Sequence, residues 1–209
     1  MTVIGISLGW NCTPATVGVK TKLRTTKAKG YKTCPFDKMV TNYPNLLRCL
    51  QTDFSEFYNP VYLALNKDGY IYHTRYKFTF NHESPGHPTL PTTEAWPGGA
   101  THFTANNYAN FVIRYRQRVA NFRSYLANPA NTIAFIVGRF NSVPLELEQV
   151  LISKYPTLKF TIHCLLKDDP VLEHRETVLA LNPPITSPEL QRFIKKPCAR
   201  PGGRFRYID

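Results

Sequence analysis

Hydrophobic positions recur along the chain with two different periods, and the switches between them mark the elements. Residues 3–8, Val-Ile-Gly-Ile-Ser-Leu, are a short apolar run ended by Gly9 and predict a buried strand. Thr13-Pro14 then predicts a helix start, with Thr13 as the cap and Pro14 in the first turn, where its missing N–H costs nothing. Residues 45–52 predict a second helix with Leu46, Leu47 and Leu50 inward. Further on, Tyr62, Leu63 and Leu65 are divided from Tyr70, Ile71, Tyr72, Tyr76, Phe78 and Phe80 by Asn66-Lys67-Asp68-Gly69. A turn containing Gly between aromatic-rich runs predicts a β-hairpin.

Residues 82–102 are rich in Pro, Gly and Thr and predict a long loop, a kind of segment that is commonly functional or bound to a partner. Tyr108, Phe111, Val112, Tyr115, Val119, Phe122 and Leu126 share one stripe at helical spacing and predict a helix over 104–127. Arg114, Arg116, Arg118 and Arg123 flank that stripe and are expected to snorkel beside it. Residues 132–138 predict a central strand, and 142–155 a helix with Pro144 and Glu146 near its start. Over 158–164, Leu158, Phe160, Ile162 and Cys164 alternate with Lys159, Thr161 and His163, the mark of another strand. Strand, helix and strand in succession form a βαβ unit, so the sheet is expected to be partly parallel. The expected architecture is α/β: a single domain with a partly parallel central sheet flanked by helices, a β-hairpin insertion and an irregular basic C-terminal tail. Residues 1–170 are read as the domain and 171–209 as a Pro-rich basic extension.

Composition narrows the class. A chain of 209 residues buries roughly 70% of its unfolded surface and needs no staple. A hydrophobic fraction of 43% and a charged fraction of 19% exclude a disordered chain. No apolar run approaches the roughly 18 residues of a membrane span, and the first residues lack the basic and apolar regions of a signal peptide. Five cysteines at irregular spacing fit a reducing compartment. An intracellular, cytoplasmic protein is the expectation.

The charge changes the picture most. Lys and Arg number 26 against 14 Asp and Glu, a net charge of +12. Such a surface attracts nucleic acid, anionic lipid or an acidic protein, and its sign alone does not choose among them. Lys20, Lys22, Arg24, Lys27, Lys29 and Lys32 form one run with no acid among them. Lys195, Lys196, Arg200, Arg204 and Arg206 form another, interleaved with Phe193, Phe205 and Tyr207. The second run reads as an arm for an acidic protein surface or a large assembly, or as a solvated terminus. Nucleic acid is supported by charge only.

Leu8-Gly9-Trp10-Asn11-Cys12 lacks the Gly and Lys spacing of a dinucleotide fingerprint or a P-loop. No Cys-x-x-Cys pair exists, and His73, His82, His87 and His102 lack helix-face spacing, so neither a metal nor a cofactor is expected. Cys12 is the sharpest position. It falls between a strand end and a helix start, where the partial positive charge of a helix N-terminus stabilises a thiolate. Nearby N–H groups and the Asn11 amide can hold an oxyanion. His82 is the best-placed base, with His73 and His87 as alternatives, and Asp37 can orient it. The plain alternative is that Cys12 is a small buried hydrophobe.

The order Ser7-Leu8-Gly9-Trp10-Asn11-Cys12, Leu23-Arg24, Thr33-Cys34-Pro35-Phe36-Asp37, Leu46-Leu47-Arg48-Cys49-Leu50 and Asp53-Phe54-Ser55-Glu56-Phe57 resembles the papain-like cysteine peptidase family. The likeness runs through residues 4–58. It continues more weakly through a loop histidine like His82, the arginine-bearing helix 114–122 and a strand ending at Arg139. Lys38 stands where the family usually has tryptophan, and His82 is followed by Glu83-Ser84-Pro85-Gly86 in place of the usual continuation. The resemblance implies a nucleophile at Cys12, a histidine partner at His82 and a structural or orienting Asp37. Family members in large DNA viruses imply a second possibility, the fold retained as a non-catalytic building block such as a minor capsid protein, with the virion as its location. The two expectations are therefore a cysteine-dependent hydrolase of amide or thioester bonds, and a structural protein of a large assembly.

Overall fold

A computed structural model of the chain describes residues 2–88, 96–138, 145–165 and the strand 176–179. In chain order the elements are β1 (Thr2–Ser7), α1 (Thr13–Lys20), α2 (Tyr43–Gln51), β2 (Leu63–Leu65), β3 (Ile71–His73) and β4 (Phe78–Thr79). They continue with α3 (Ala105–Ala127), β5 (Asn131–Gly138), α4 (Leu145–Lys154), β6 (Phe160–Leu165) and β7 (Glu176–Leu179). The main sheet has the order β1-β5-β6-β7. β1, β5 and β6 run parallel, with Ile4 beside Ile133 and Ile133 beside Phe160, and β7 closes the sheet antiparallel. The α/β class and the βαβ unit (β5, α4, β6) are as the sequence predicts. β5 is buried at every residue, which is why its sequence is a continuous apolar run: a central parallel strand has protein on both faces.

The two faces of the sheet carry different helices. α1 covers one, where Val17, Leu23, Ala134, Ile136 and Leu165 pack together. α2, α3 and α4 share the other, joined by contacts such as Phe122 with Phe135 (6.4 Å) and Phe54 with Phe122 (5.5 Å). α2 starts two residues before the predicted position because Asn42 caps it, its side-chain oxygen accepting from the Asn45 N–H at 3.2 Å. Thr13 is not the cap of α1, contrary to expectation. Asn11 Oδ1 accepts the Thr13 N–H at 2.8 Å, so the helix already runs at Thr13. α3 opens with a left-handed turn at Asn106, Asn107 and Tyr108 (φ 51°, 51° and 62°) before its regular run; asparagine tolerates that conformation better than most residues.

The predicted hairpin is β2 and β3, extended by β4 into a three-stranded antiparallel sheet. Asn66 Oδ1 closes the turn by accepting from Asp68 N and Tyr70 N, and Gly69 supplies the positive φ of 76°. This sheet is bound to the rest through aromatic rings. Phe57, fully buried, meets Phe36, Phe54, Tyr76, Phe78, Phe80 and Tyr115 at 5.5–6.5 Å between ring centres. One side chain thus ties the 34–38 turn, the segment after α2, the small sheet and α3 into one core.

β7 lies within the stretch 171–209 and pairs with β6, so that part of the extension belongs to the main sheet. The basic run at Lys195, Lys196, Arg200, Arg204 and Arg206 lies outside the described residues. No helix among the described residues is long and apolar enough to cross a membrane.

Two predictions follow from the packing. Phe57→Ala is expected to cost about 3–5 kcal/mol, because it removes a large ring from a fully enclosed site; urea unfolding followed by tyrosine fluorescence measures it. His163 on β6 is fully buried, with Nε2 2.9 Å from Thr161 Oγ1 and no partner for Nδ1 among the described residues. Burial lowers its pKa to about 4, so the unfolded chain takes up this proton at higher pH than the folded protein. Stability is then complete above pH ~6.5 and falls by about 3 kcal/mol as the pH drops toward ~4. His163→Leu should flatten that fall in urea titrations.

Candidate active site

The loop Leu8–Cys12 leaves the carboxyl end of β1 and is held on every side. Leu8 N donates to Ile136 O of β5 at 2.8 Å, and Gly9 N donates to Ser7 Oγ at 3.1 Å. Gly9 and Trp10 are both left-handed, at φ 90° and 79°, a conformation that is costly for a tryptophan. Thr41 supports the turn: its hydroxyl accepts from Trp10 N at 2.7 Å and its N–H donates to Trp10 O at 3.3 Å. A Cβ on Gly9 would collide with the Thr41 hydroxyl, so Gly9 is fixed by its φ and by this close approach together.

Cys12 follows, immediately before α1, and its side chain is exposed, whereas Cys34, Cys49 and Cys164 are buried. Burial pushes all three of those thiols up, Cys164 to about 12. Asn11 Oδ1 is committed to the Thr13 N–H, so the donor end of this side chain is its amide NH2. The site lies at a switch of the sheet. The helix after β1 packs on one face and the helix after β5 on the other, which makes the carboxyl ends of these two strands a topological switch point. Open α/β sheets bind ligands at such switch points. Trp10 and Pro14 lie against Gly138, the last residue of β5; a Cβ there would come within 3.1 Å of Trp10 Cβ.

His82 sits in a short 3-10 turn, Asn81–Glu83, just after β4. It is half-buried, with its ring centre 5.9 Å from that of His87. The turn is anchored by its neighbours. Glu83 is fully buried; its Oε1 pairs with Arg114 Nε at 3.0 Å and Arg118 Nη2 at 2.8 Å, and its Oε2 accepts from the Tyr115 hydroxyl at 2.9 Å. Ser84 Oγ donates to Phe80 O at 2.6 Å and accepts from Ile71 N at 2.7 Å, and Gly86 N donates to Gly69 O at 2.9 Å. The cysteine loop and the histidine turn meet through one two-residue segment. Thr41 pairs with Trp10, and Val40 pairs with Thr79 of β4 through two backbone hydrogen bonds of 2.8 and 2.9 Å.

His73 and Asp37 are placed differently. His73 is buried; its Nδ1 accepts from Tyr76 N at 3.0 Å and Arg75 N at 3.3 Å, which leaves the proton on Nε2, 3.1 Å from Glu56 O. Burial lowers its pKa, and it serves as a pin in the hairpin. Asp37 is buried and accepts from Arg24 Nη1 at 2.7 Å, Cys34 N at 2.8 Å and, at 3.5 Å, the Tyr31 hydroxyl. Burial pushes its carboxyl up, and Arg24, the Cys34 N–H and Tyr31 pull it back. No histidine is among its partners within the described residues. Asp37 locks the turn that delivers Phe36 to the aromatic core.

A family model described as "Putative papain-like cysteine peptidase" matches residues 4–169. The chain belongs to this family. A comparison with curated proteins finds no match, and one with solved structures finds none. The match takes in Cys12, Asp37 and His82, as well as α3 with its arginines.

Arg116 and Arg123 keep their heads exposed beside the stripe as expected, but Arg118 does not. Arg118 is 4% exposed and pairs with Glu83, Arg114 pairs with the same carboxylate, and Arg123 holds Asp53 at 2.8 Å. The i, i+4 spacing of Arg114 and Arg118, beside a stripe whose Tyr115 carries a hydroxyl, is the sequence signal for a polar partner that the hydrophobic stripe concealed. Gly9→Ala tests the local geometry. It should destabilise the protein by about 1–3 kcal/mol through left-handed strain and the Thr41 collision, seen as a lower urea midpoint with unchanged slope.

Proposed function

We propose that this member of the papain-like cysteine peptidase family hydrolyses amide or thioester bonds, with Cys12 as nucleophile and His82 as base. The observation that carries the reading is an exposed thiol immediately before α1, in the loop that leaves the carboxyl end of β1, while the other described cysteines are enclosed. His82 takes the Cys12 proton as the sulfur attacks the acyl carbon. The Asn11 amide NH2 and the backbone N–H groups around Asn11-Cys12 hold the oxyanion. The bond to the leaving amine or thiol then breaks, and His82 returns the proton to it. Water, deprotonated by His82, attacks the resulting thioester, releases the carboxylic acid and restores the thiol. Asp37 supports the site through the 34–38 turn.

The test uses a peptidyl acyloxymethyl ketone and mass spectrometry of the native protein. Cys12 should be modified while Cys49 and Cys164 are not, and His82→Gln should slow the reaction about 100-fold or more. Equal modification of the three cysteines, or a rate unchanged in His82→Gln, removes the hydrolase reading. It would favour the second reading, a non-catalytic component of a large assembly such as a minor capsid protein. For that reading speak the net charge of +12 and the exposed Lys27, Lys29 and Lys32.

A further inference from the structure

α3 touches both halves of the site at once. Asn121 Nδ2 donates to Thr33 O at 3.0 Å, at the head of the turn that carries Asp37. One and two turns earlier on the same helix, Arg118, Tyr115 and Arg114 enclose Glu83, the residue next to His82. Arg118 joins the two sets: it pairs with Glu83, lies over the Tyr115 ring at 4.6 Å, and interacts electrostatically with Asp37 and Cys34. Burial works against its charge, and Glu83, Tyr115 and Asp37 together more than offset this, so the guanidinium stays protonated. Its Nη1 is buried without a hydrogen-bond partner among the described residues.

This is more polar anchoring than a helix needs merely to pack on a sheet. The stripe of Phe111, Tyr115, Val119, Phe122 and Leu126 already buries α3, and replacing a buried ion pair by apolar groups is often neutral or stabilising. What the ionic cluster adds is direction. Glu83 is reached by three donors from one helix, and its backbone is the next peptide after His82. A carboxylate held from three sides fixes the orientation of that peptide, and with it the path of the His82 side chain.

We propose that Glu83, Tyr115 and Arg118 are positioning residues that set His82 relative to Cys12, so that α3 controls the reactivity of a thiol it does not carry. The proposal rests on the assignment of His82 as base to Cys12. It predicts that a change at the Tyr115 hydroxyl, which donates to Glu83 Oε2, is felt at the Cys12 sulfur.

Tyr115→Phe is the main variant, because it keeps the ring in its stack with Phe111 and removes only the hydroxyl. Glu83→Gln is the stronger one, and Glu83→Asp is the conservative control. The readout is the rate–pH profile of Cys12 alkylation by iodoacetamide in the full-length protein, resolved by peptide mass spectrometry, beside His82→Gln. Tyr115→Phe and Glu83→Gln should displace the profile in the direction of His82→Gln and slow alkylation at neutral pH roughly tenfold. Glu83→Asp should recover part of the loss. A merely structural role would lower the thermal midpoint and leave the profile alone, and that result in folded Tyr115→Phe overturns the proposal. Should Glu83→Gln fail to fold, Tyr115→Phe decides alone. The underlying reading fails in a distinguishable way: His82→Gln itself then keeps the wild-type profile, which overturns both. A profile shifted by His82→Gln and untouched by Tyr115→Phe and Glu83→Gln overturns only the positioning role.

Discussion

Two carboxylates, Asp37 and Glu83, lie inside this protein, and neither can remain there ionised without a cation beside it. An unpaired buried charge costs several kcal/mol. Asp37 takes Arg24, and Glu83 takes Arg118 and Arg114. Each pair therefore fixes the chain on both sides of it. Arg24 follows α1, so the Asp37 pair joins the return from the first helix to the turn that supplies Phe36. Glu83 follows β4, so its pairs join the small sheet to α3. Apolar packing tolerates sliding and substitution; a hydrogen-bonded buried ion pair has one geometry. The architecture of the site depends on these two.

Around them the site is assembled by backbone as much as by side chains. The Cys12 loop turns through two left-handed residues, and one of them is a tryptophan. That strain is supported by Thr41 on one side and by the close approach of Gly138 on the other. The histidine turn is held through Ser84 and Gly86. Both loops are thus pinned by hydrogen bonds to neighbouring segments, the kind of support that the proposed pairing of Cys12 with His82 requires.

The strands and helices were legible because each has a single dominant period. β5 and β6 read correctly as a parallel pair from their apolar runs, and the hairpin read correctly from Asn66 to Gly69. The cysteine loop stood out because the motif through Asn11-Cys12 lies between a strand and a helix signal. Illegible were the long-range polar contacts. Arg118 and Glu83 are 35 positions apart, and no local pattern joins them. The arginines of α3 looked like the wet edge of an apolar stripe, because hydropathy cannot say whether a cation beside a stripe faces water or a buried acid. The start of α1 differs for a related reason: Cys12, a poor capping residue, occupies the cap position with no side-chain bond, and the Asx-type bond from Asn11 Oδ1 to the Thr13 N–H stands just outside it.

The same pairing explains where the net charge of +12 resides. Asp37, Asp53, Glu56 and Glu83 are each held by an arginine. Arginine suits this work, since its planar fork holds a carboxylate in fixed geometry and is more weakly hydrated than an ammonium. Most of the early acids are thereby neutralised in place, and the first 36 residues contain no acid at all. The cations left on the surface of that region are lysines, with Lys27, Lys29 and Lys32 exposed. Arginine thus supplies the buried ion pairs at Asp37 and Glu83 as well as surface pairs at Glu56 and Asp53, while the lysines of the first 36 residues stay outside. The lysine charge of this region lies at the surface, and it can vary there without disturbing the ion pairs that hold the site.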